Sequence, residues 1–321
     1  MKSKVFISEE GSNRQQIQHF YSIIRPTALI CKILGTFNIK NSFSNDGRCL
    51  QYRLLSLDTL WSSIMYITIA YLVWKYETFP WWITLAPVET YRNISMLFLC
   101  IYYDKFLLDL IRHFEDYDIL YYIKCKHAPT KSFFGSGTIW MLIALFLIST
   151  SLAQSFSMVN VDPNRSIPRT LADCIIVVFP WISSQSLFIL YILLCVNISS
   201  RFRDIHSLSK NVVANITAEK LFESWKLVNE NKEKIEDGLE KIRILFNHLS
   251  EIIIKLNKCY GMKLANHMMM CFVQMLLDAY QHIYNFGIKP NQLILFLCYQ
   301  AFIVLIIAAI TENVTTNVSI F

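Results

Sequence analysis

The sequence predicts an all-α fold: a polytopic membrane bundle of six spans, with a cytoplasmic N-terminus and a long cytoplasmic helical connection between spans four and five. Three observations carry that expectation. Hydrophobic residues make up 54% of the 321 residues and aromatics 14%, with only 17% charged and a mean hydropathy of +0.37, whereas an ordinary soluble domain has roughly 25% charged residues. The apolar residues gather into blocks close to the roughly 20 residues a helix needs to cross a bilayer core. Lys and Arg fall unequally between alternate loops, which sets orientation.

In chain order, residues 1–57 form a cytoplasmic segment. It has no apolar core of the kind a cleaved signal peptide needs, so the first span is expected to act as its own insertion signal. Spans one to four fall within 58–198, at 58–74, 82–103, 136–159 and 171–198, the second interrupted by Glu89, Arg92 and Asn93. Residues 199–258 form the cytoplasmic connection. Within it Ile235, Leu239, Ile242, Phe246, Leu249, Ile253 and Leu256 recur at helical spacing with Glu and Lys between them, which predicts a helix running on into span five. On the residues alone a packed intracellular hairpin is favoured over a subunit-contact platform. Spans five and six lie within 259–311, at 260–284 and 292–311, and "LILFLCYQAFIVLIIAAI" in the sixth carries no charge. Residues 312–321 form a cytoplasmic tail.

Orientation follows from the cations. Eight Lys and Arg precede the first span, five lie in 104–132 and eleven in 199–258, whereas the alternate loops hold only Lys75, Arg165, Arg169 and Lys289. That is 24 against 4, with Arg92 and Lys263 left near or within spans. The N-terminus is therefore expected inside, which excludes a seven-helix G-protein-coupled receptor. The net charge of +6 reads as membrane topology rather than as a nucleic-acid surface.

Nothing in the chain points to catalysis. There is no G-x-x-x-x-G-K-[ST], H-E-x-x-H, G-x-S-x-G or G-x-G-x-x-G, so no enzyme and no cofactor is expected. The nine cysteines include no C-x-x-C and mostly fall in or beside apolar blocks, as small buried hydrophobes do. The seven histidines show no metal-ligand spacing. His267 and Cys271 lie four apart on one helix, but two ligands do not make a metal site, so a packing role is expected.

The informative polar residues lie within the spans. In the fifth, His267, Cys271, Gln274, Asp278, Gln281 and Asn285 recur every three or four residues and line one helical face. A carboxylate facing lipid at mid-membrane costs about 2.5–3.5 kcal/mol on insertion scales, so Asp278 should face protein or water. The third span offers Gln154 and Ser155; the fourth offers Phe179, Trp181, Ser184 and Gln185 beside Pro180, a residue able to bend the helix and free carbonyls. Tyr280 and Tyr284 add aromatic faces near the outer mouth. Two readings stand together: hydrogen bonding between helices, and the wall of an outward-opening cavity for a small organic ligand. For Trp81, Trp82 and Tyr284 an interfacial aromatic belt is the plainer assignment. Glu89 and Arg92, three apart, are expected to pair. Of six sequons, only that at Asn164 falls in an expected external loop, making it the one glycosylation candidate.

Several segments resemble the insect gustatory receptors, relatives of the insect odorant receptors. "IIRPTALICKILGTFNIK" is similar to that family's N-terminal Arg-Pro, apolar, Leu-Gly-x-Phe segment, matched by Arg25, Pro26, Leu34, Gly35 and Phe37. "VNISSRFRDIHSLSKNV" resembles the exit of its fourth span. "IIIKLNKCYGMKLANHMMMCFVQMLLDAYQHI" resembles its run into the fifth, with Asn257 and Gly261 in an Asn, aromatic, Gly setting. The resemblance implies a ligand-gated cation channel in the plasma membrane, assembled as a homo- or hetero-tetramer with other receptor subunits. It further implies that a small-molecule tastant binds among the outer halves of the spans, for which Gln154, Trp181, Gln185, Gln274, Asp278, Gln281 and Tyr284 are the candidates here. The family's Thr-Tyr, five apolar residues, Gln-Phe signature of a pore-lining seventh span does not occur in this sequence. On the resemblance, the tail is expected to begin a linker towards that missing span. Two alternatives stay open: a non-conducting membrane partner of full-length receptors, and a six-span transporter. The transporter would require an internal repeat or matched broken helices, and the sequence displays neither.

Overall fold

The computed structural model describes residues 20–44, 46–75, 82–125, 167–221 and 225–283, with positions 298, 301, 305, 308, 309, 311, 312 and 316. The third predicted span and all but scattered positions of the sixth lie outside these residues. What is described is all-α apart from one short hairpin. The elements are α1 (Phe20–Ile33), β1 (Ile39–Lys40), a 3-10 turn (Gly47–Cys49), β2 (Gln51–Tyr52), α2 (Leu57–Lys75), α3 (Trp82–Cys125), α4 (Ile167–Leu221) and α5 (Trp225–Ile283).

The three long helices run far past the expected span ends. α3 continues 22 residues beyond 103, α4 is 55 residues long and carries on through Pro180, and α5 covers 59 residues, joining the connection to the fifth predicted span without a break. α3 and α5 are antiparallel, since Lys263 meets Asp104 whereas His248 lies against His113. α4 and α5 are antiparallel too, with Tyr191 on Tyr260 and Phe202 on Phe246. Among the described residues Gln185–Ala214 is the stretch long and apolar enough to cross a membrane, and it is mostly buried in the protein.

Helix α1 ends where its sequence says it should. Gly35 adopts φ +72°, a conformation without steric cost only for glycine. Gly35 N–H donates to the Lys32 carbonyl at 3.0 Å and Thr36 N–H to that of Cys31 at 2.8 Å, the pattern of a glycine-terminated helix. A Cβ at Gly35 would also lie 3.2 Å from Ser62 Cα. Gly35→Ala is therefore expected to destabilise the protein by about 1–2 kcal/mol, read as a lower unfolding temperature in detergent. The Leu34-Gly35 step thus has a physical reason: it turns the chain against α2.

The hairpin is held beneath the helices. Ile39 pairs with Tyr52 and Lys40 with Gln51. Asp46 caps the 3-10 turn by accepting from Arg48 N–H at 2.8 Å. The buried Glu115 carboxylate of α3 accepts from Tyr21 N–H in the first turn of α1, at 3.2 Å, and from Gly47 N–H at 2.9 Å. It thereby satisfies a helix-end donor that has no intrahelical acceptor. Phe20 stacks on Phe114 with centroids 4.1 Å apart.

The expected apolar stripe of α5 needs one correction. Leu249 and Leu256 are buried, together with Leu245 and Ile252, but Leu239 is 52% exposed. At that level the inner position belongs to Gly238, where a Cβ would fall 2.8 Å from Val212 Cγ2. The close approach of α4 turns the stripe by one residue and leaves Leu239 outside.

The outer surface changes character at one level. On α5 the exposed positions are Glu236, Asp237, Glu240, Arg243, Asn247, Glu251, Asn257 and Lys258, with Leu239 and Ile254 among them; beyond these they are Met262, Ala265, Met269, Phe272, Leu276 and Tyr280. On α3 they are Tyr91, Ile94, Phe98 and Tyr102, then Lys105, Asp109, Arg112 and Asp116, with Ile123 exposed near the helix end. α2 exposes Leu57, Leu60, Trp61, Ile64, Ile67 and Tyr71, with Thr68 among them and Lys75 at its far end. Tyr103 against Cys259 and Asp104 against Lys263 put the two changeovers side by side.

Candidate functional site

Two charged nodes fasten the helices, the first at this level. Asp104, fully buried, accepts from Lys263 Nζ at 3.1 Å, from Asn38 N–H at 2.6 Å and from Asn38 Nδ2 at 3.1 Å. Ser62 Oγ donates to Asn38 Oδ1. One carboxylate therefore joins α3, α5 and the residue leading into β1, and through Asn38 it reaches α2. A buried charge persists only when paired and hydrogen-bonded, and here every described partner comes from a different element.

The second node lies on the polar side, Asp118 standing about four turns along α3 from Asp104. Arg201 of α4 makes a fork with Asp118 of α3, Nε to Oδ1 at 2.9 Å and Nη2 to Oδ2 at 2.7 Å, while Nη1 donates to the Asn197 carbonyl at 3.0 Å. Its guanidinium lies 5.1 Å from the Phe20 ring centroid and 5.0 Å from that of Phe114, so charge pairing and ring stacking act on one planar group. Burial raises the neighbouring Tyr117 hydroxyl well above its ordinary range, against the pull of Arg201, so it stays protonated. The buried Cys31 thiol is likewise pushed up to about 11 by desolvation, and it donates to the Ser186 carbonyl at 3.4 Å.

On the apolar side, α4 and α5 enclose a smaller polar group. His267 and Cys271 are both buried, with Nε2 and Sγ 3.1 Å apart, the packing arrangement their spacing suggests. Phe188 meets the His267 ring edge-on at 4.0 Å. Asn266 donates to Ser95 of α3 at 3.2 Å, and Arg92 is buried in the same half of α3. Gln185, one turn before Phe188, is 3% exposed, and its Nε2 meets no hydrogen-bond acceptor among the described residues. An amide donor in that state is available to a ligand or to water.

Of the ligand-binding candidates, Gln185 is the one whose side chain is described, and it faces the interior. Trp181, Gln274, Asp278 and Gln281 lie on the described backbone of α4 and α5, with side chains outside the described set. The antiparallel register set by Phe188 and His267 brings Gln185 level with the turn of Cys271, and Trp181 level with that of Gln274. Gln154, Tyr284 and the sequon at Asn164 lie outside the described residues, as does the side chain of Glu89, the expected partner of Arg92. Tyr280 is 46% exposed on α5, on the outer apolar face rather than inside. Among the described residues no group of three or more His, Cys, Asp or Glu is placed to hold a metal ion.

Asp104, Asp118, Arg201 and Lys263 do not stand out by residue pattern as a set. Lys263 carries the available signal: a cation inside a predicted span calls for a named partner, and Asp104 stands at the edge of another. Together the described elements define an all-α protein of long antiparallel helices fastened by buried ion pairs. No protein-family model and no curated protein matches the chain.

Proposed function

We propose that the chain is a multi-pass membrane chemoreceptor subunit of the insect gustatory receptor type, N-terminus inside, that takes a small organic ligand between the apolar halves of α3, α4 and α5. The observation carrying the membrane reading is the shared changeover from polar to apolar exposure on α3 and α5, with α2 starting at that level. Large apolar side chains facing outward along three helices suit lipid and not water. Two features support the receptor reading: the long antiparallel pair of α4 and α5, which holds two of the segments that resemble the gustatory receptors, and the Gln185 amide, unsatisfied among the described residues, one turn from Phe188.

Thiol labelling tests the topology. Cys49, exposed in the hairpin, is expected to react with a membrane-impermeant maleimide only after cells are permeabilised. Buried Cys31, with its raised pKa, should not react at all. Labelling of Cys49 on intact cells would overturn the orientation.

Response measurements test the ligand site. With the chain co-expressed alongside a receptor subunit of the same type, calcium signals across a tastant panel should include at least one response. Gln185→Leu should weaken that response by about tenfold, the value of one lost hydrogen bond, without lowering thermal stability, since Nε2 has no described partner to lose. Asp278→Asn probes the next turns of the same helical pair. A panel without any response, or a Gln185→Leu chain that responds unchanged, counts against the reading.

A further inference from the structure

We infer that the segment joining the hairpin to α2 is an inner-leaflet anchor, in which Leu54, Leu55 and Leu57, with Ile33, sit among the upper acyl chains while Arg53 and Lys40 engage anionic headgroup phosphates. The inference rests on the membrane reading above and adds to it a specific lipid contact outside the spans.

The exposures are unusual for a turn. Leu55 is 95% exposed, Leu57 79%, Ile33 68% and Leu54 60%. The turn is not free to fold them inward. Ser56 is buried and caps α2, accepting from Thr59 N–H at 3.2 Å through Oγ and from Leu60 N–H at 2.9 Å through its carbonyl. Thr59 Oγ1 reaches back to the Arg53 carbonyl at 3.4 Å. The end of α1 is tied to the same place, with Trp61 Nε1 donating to the Ile33 carbonyl at 3.1 Å. The leucines are therefore presented by a fixed loop, continuous with the outward Leu60, Trp61 and Ile64 of α2.

The level and the charge both select a bilayer over another occupant. Asn38, the residue before β1, bonds Asp104 and Ser62 at the height where exposure changes from polar to apolar. Nearby cations are already engaged: Lys32 with Asp58 at 3.0 Å and Arg48 with Asp116 at 2.6 Å. Arg53 and Lys40 have no carboxylate partner among the described residues. Lys40 ends β1 opposite Gln51 of β2, and Arg53 immediately follows β2, two residues past Gln51. Apolar side chains at the acyl boundary with uncommitted cations above them fit an anionic cytoplasmic leaflet.

The test places an environment-sensitive fluorophore at Leu55→Cys in the full chain, with exposed Cys49 and Cys298 changed to Ser, in nanodiscs of phosphatidylcholine with or without phosphatidylserine. Ile64→Cys and Leu239→Cys are the comparison sites, and the parent without an added cysteine is the blank. The Leu55 probe should emit blue-shifted, be quenched by lipid spin-labelled near the headgroup and be shielded from aqueous iodide. Phosphatidylserine should strengthen this, and Arg53→Gln should remove that dependence. Iodide quenching equal to that at Leu239, with Ile64 still shielded, overturns the anchor and leaves the membrane reading intact. Iodide access at both Leu55 and Ile64 overturns both. Shielding from iodide without quenching by the lipid label means a protein partner covers the loop, and this also overturns the anchor. Leu54→Cys gives the same measurement should the Leu55 variant fail to enter nanodiscs.

Discussion

Lys263→Met is expected to lower stability by roughly 3–5 kcal/mol, the range for breaking a buried ion pair from one side. The loss comes from Asp104 rather than from the missing amine. The carboxylate is fully buried, and without Lys263 Nζ at 3.1 Å the two Asn38 donors are what remains facing it among the described residues. The double variant Asp104→Asn with Lys263→Met removes both charges and keeps an acceptor for the Asn38 backbone. It should be more stable than Lys263→Met alone, because a neutral pair avoids the desolvation that a lone charge suffers. Thermal unfolding in detergent across the four members of the cycle gives the coupling. Strictly additive effects would mean that the two groups do not act as a pair.

The second large effect is at Arg201. Arg201→Ala should cost a similar few kcal/mol, and Arg201→Lys should recover less than half of it. An ammonium keeps the charge but forms neither the fork to Asp118 nor the flat face lying over Phe20 and Phe114. The same substitution should loosen α1, whose first residue is one of those rings. Faster hydrogen exchange over Phe20–Ile33 in Arg201→Lys, with exchange over α2 unchanged, is the expected local signature. Uniform acceleration across the chain would instead mean that Arg201 merely supports the bundle as a whole.

These two nodes give physical reasons for residues within the segments that carry the resemblance. Asn197 and Arg201 lie in the stretch similar to the exit of the fourth span, and Gly35 lies in the N-terminal one. Gly35 closes α1 against Ser62, whereas Arg201 binds α4 to α3 and to the start of α1. Glu115 adds a third tie by serving the amides of Tyr21 and Gly47 together. The described residues between Phe20 and Leu57 are thus packed onto α3 and α4, through Glu115 and Arg201 at one end and Ser186 at the other, and the leucine loop of the proposed anchor is held at the changeover level as a result.

Helical periodicity made the all-α class legible, and with it the run of α5 from the connection into the fifth predicted span. It also indicated much of the inner stripe, through Leu249 and Leu256. It failed at Leu239, because Val212 approaches Gly238 from another helix and period alone does not register a neighbour. The span-by-span reading also set helix ends at changes of polarity, whereas α3 and α4 continue beyond them. A helix does not stop where its surroundings change, since its hydrogen bonds are internal.

The candidate site was legible as a set of polar residues on apolar helices, and Gln185 is the member seen to point inward. Which turn of α5 comes level with it could not be read from spacing. What the sequence by itself determined is what short range controls: helix formation, the apolar blocks, the skew of Lys and Arg, and the glycine that ends α1. What only the tertiary structure decided is which charges are buried against which. Lys263 and Asp104 stand 159 positions apart, and Arg201 and Asp118 stand 83 apart. No local pattern reports such pairs, because their energy exists only once two helices have docked and water has been excluded between them.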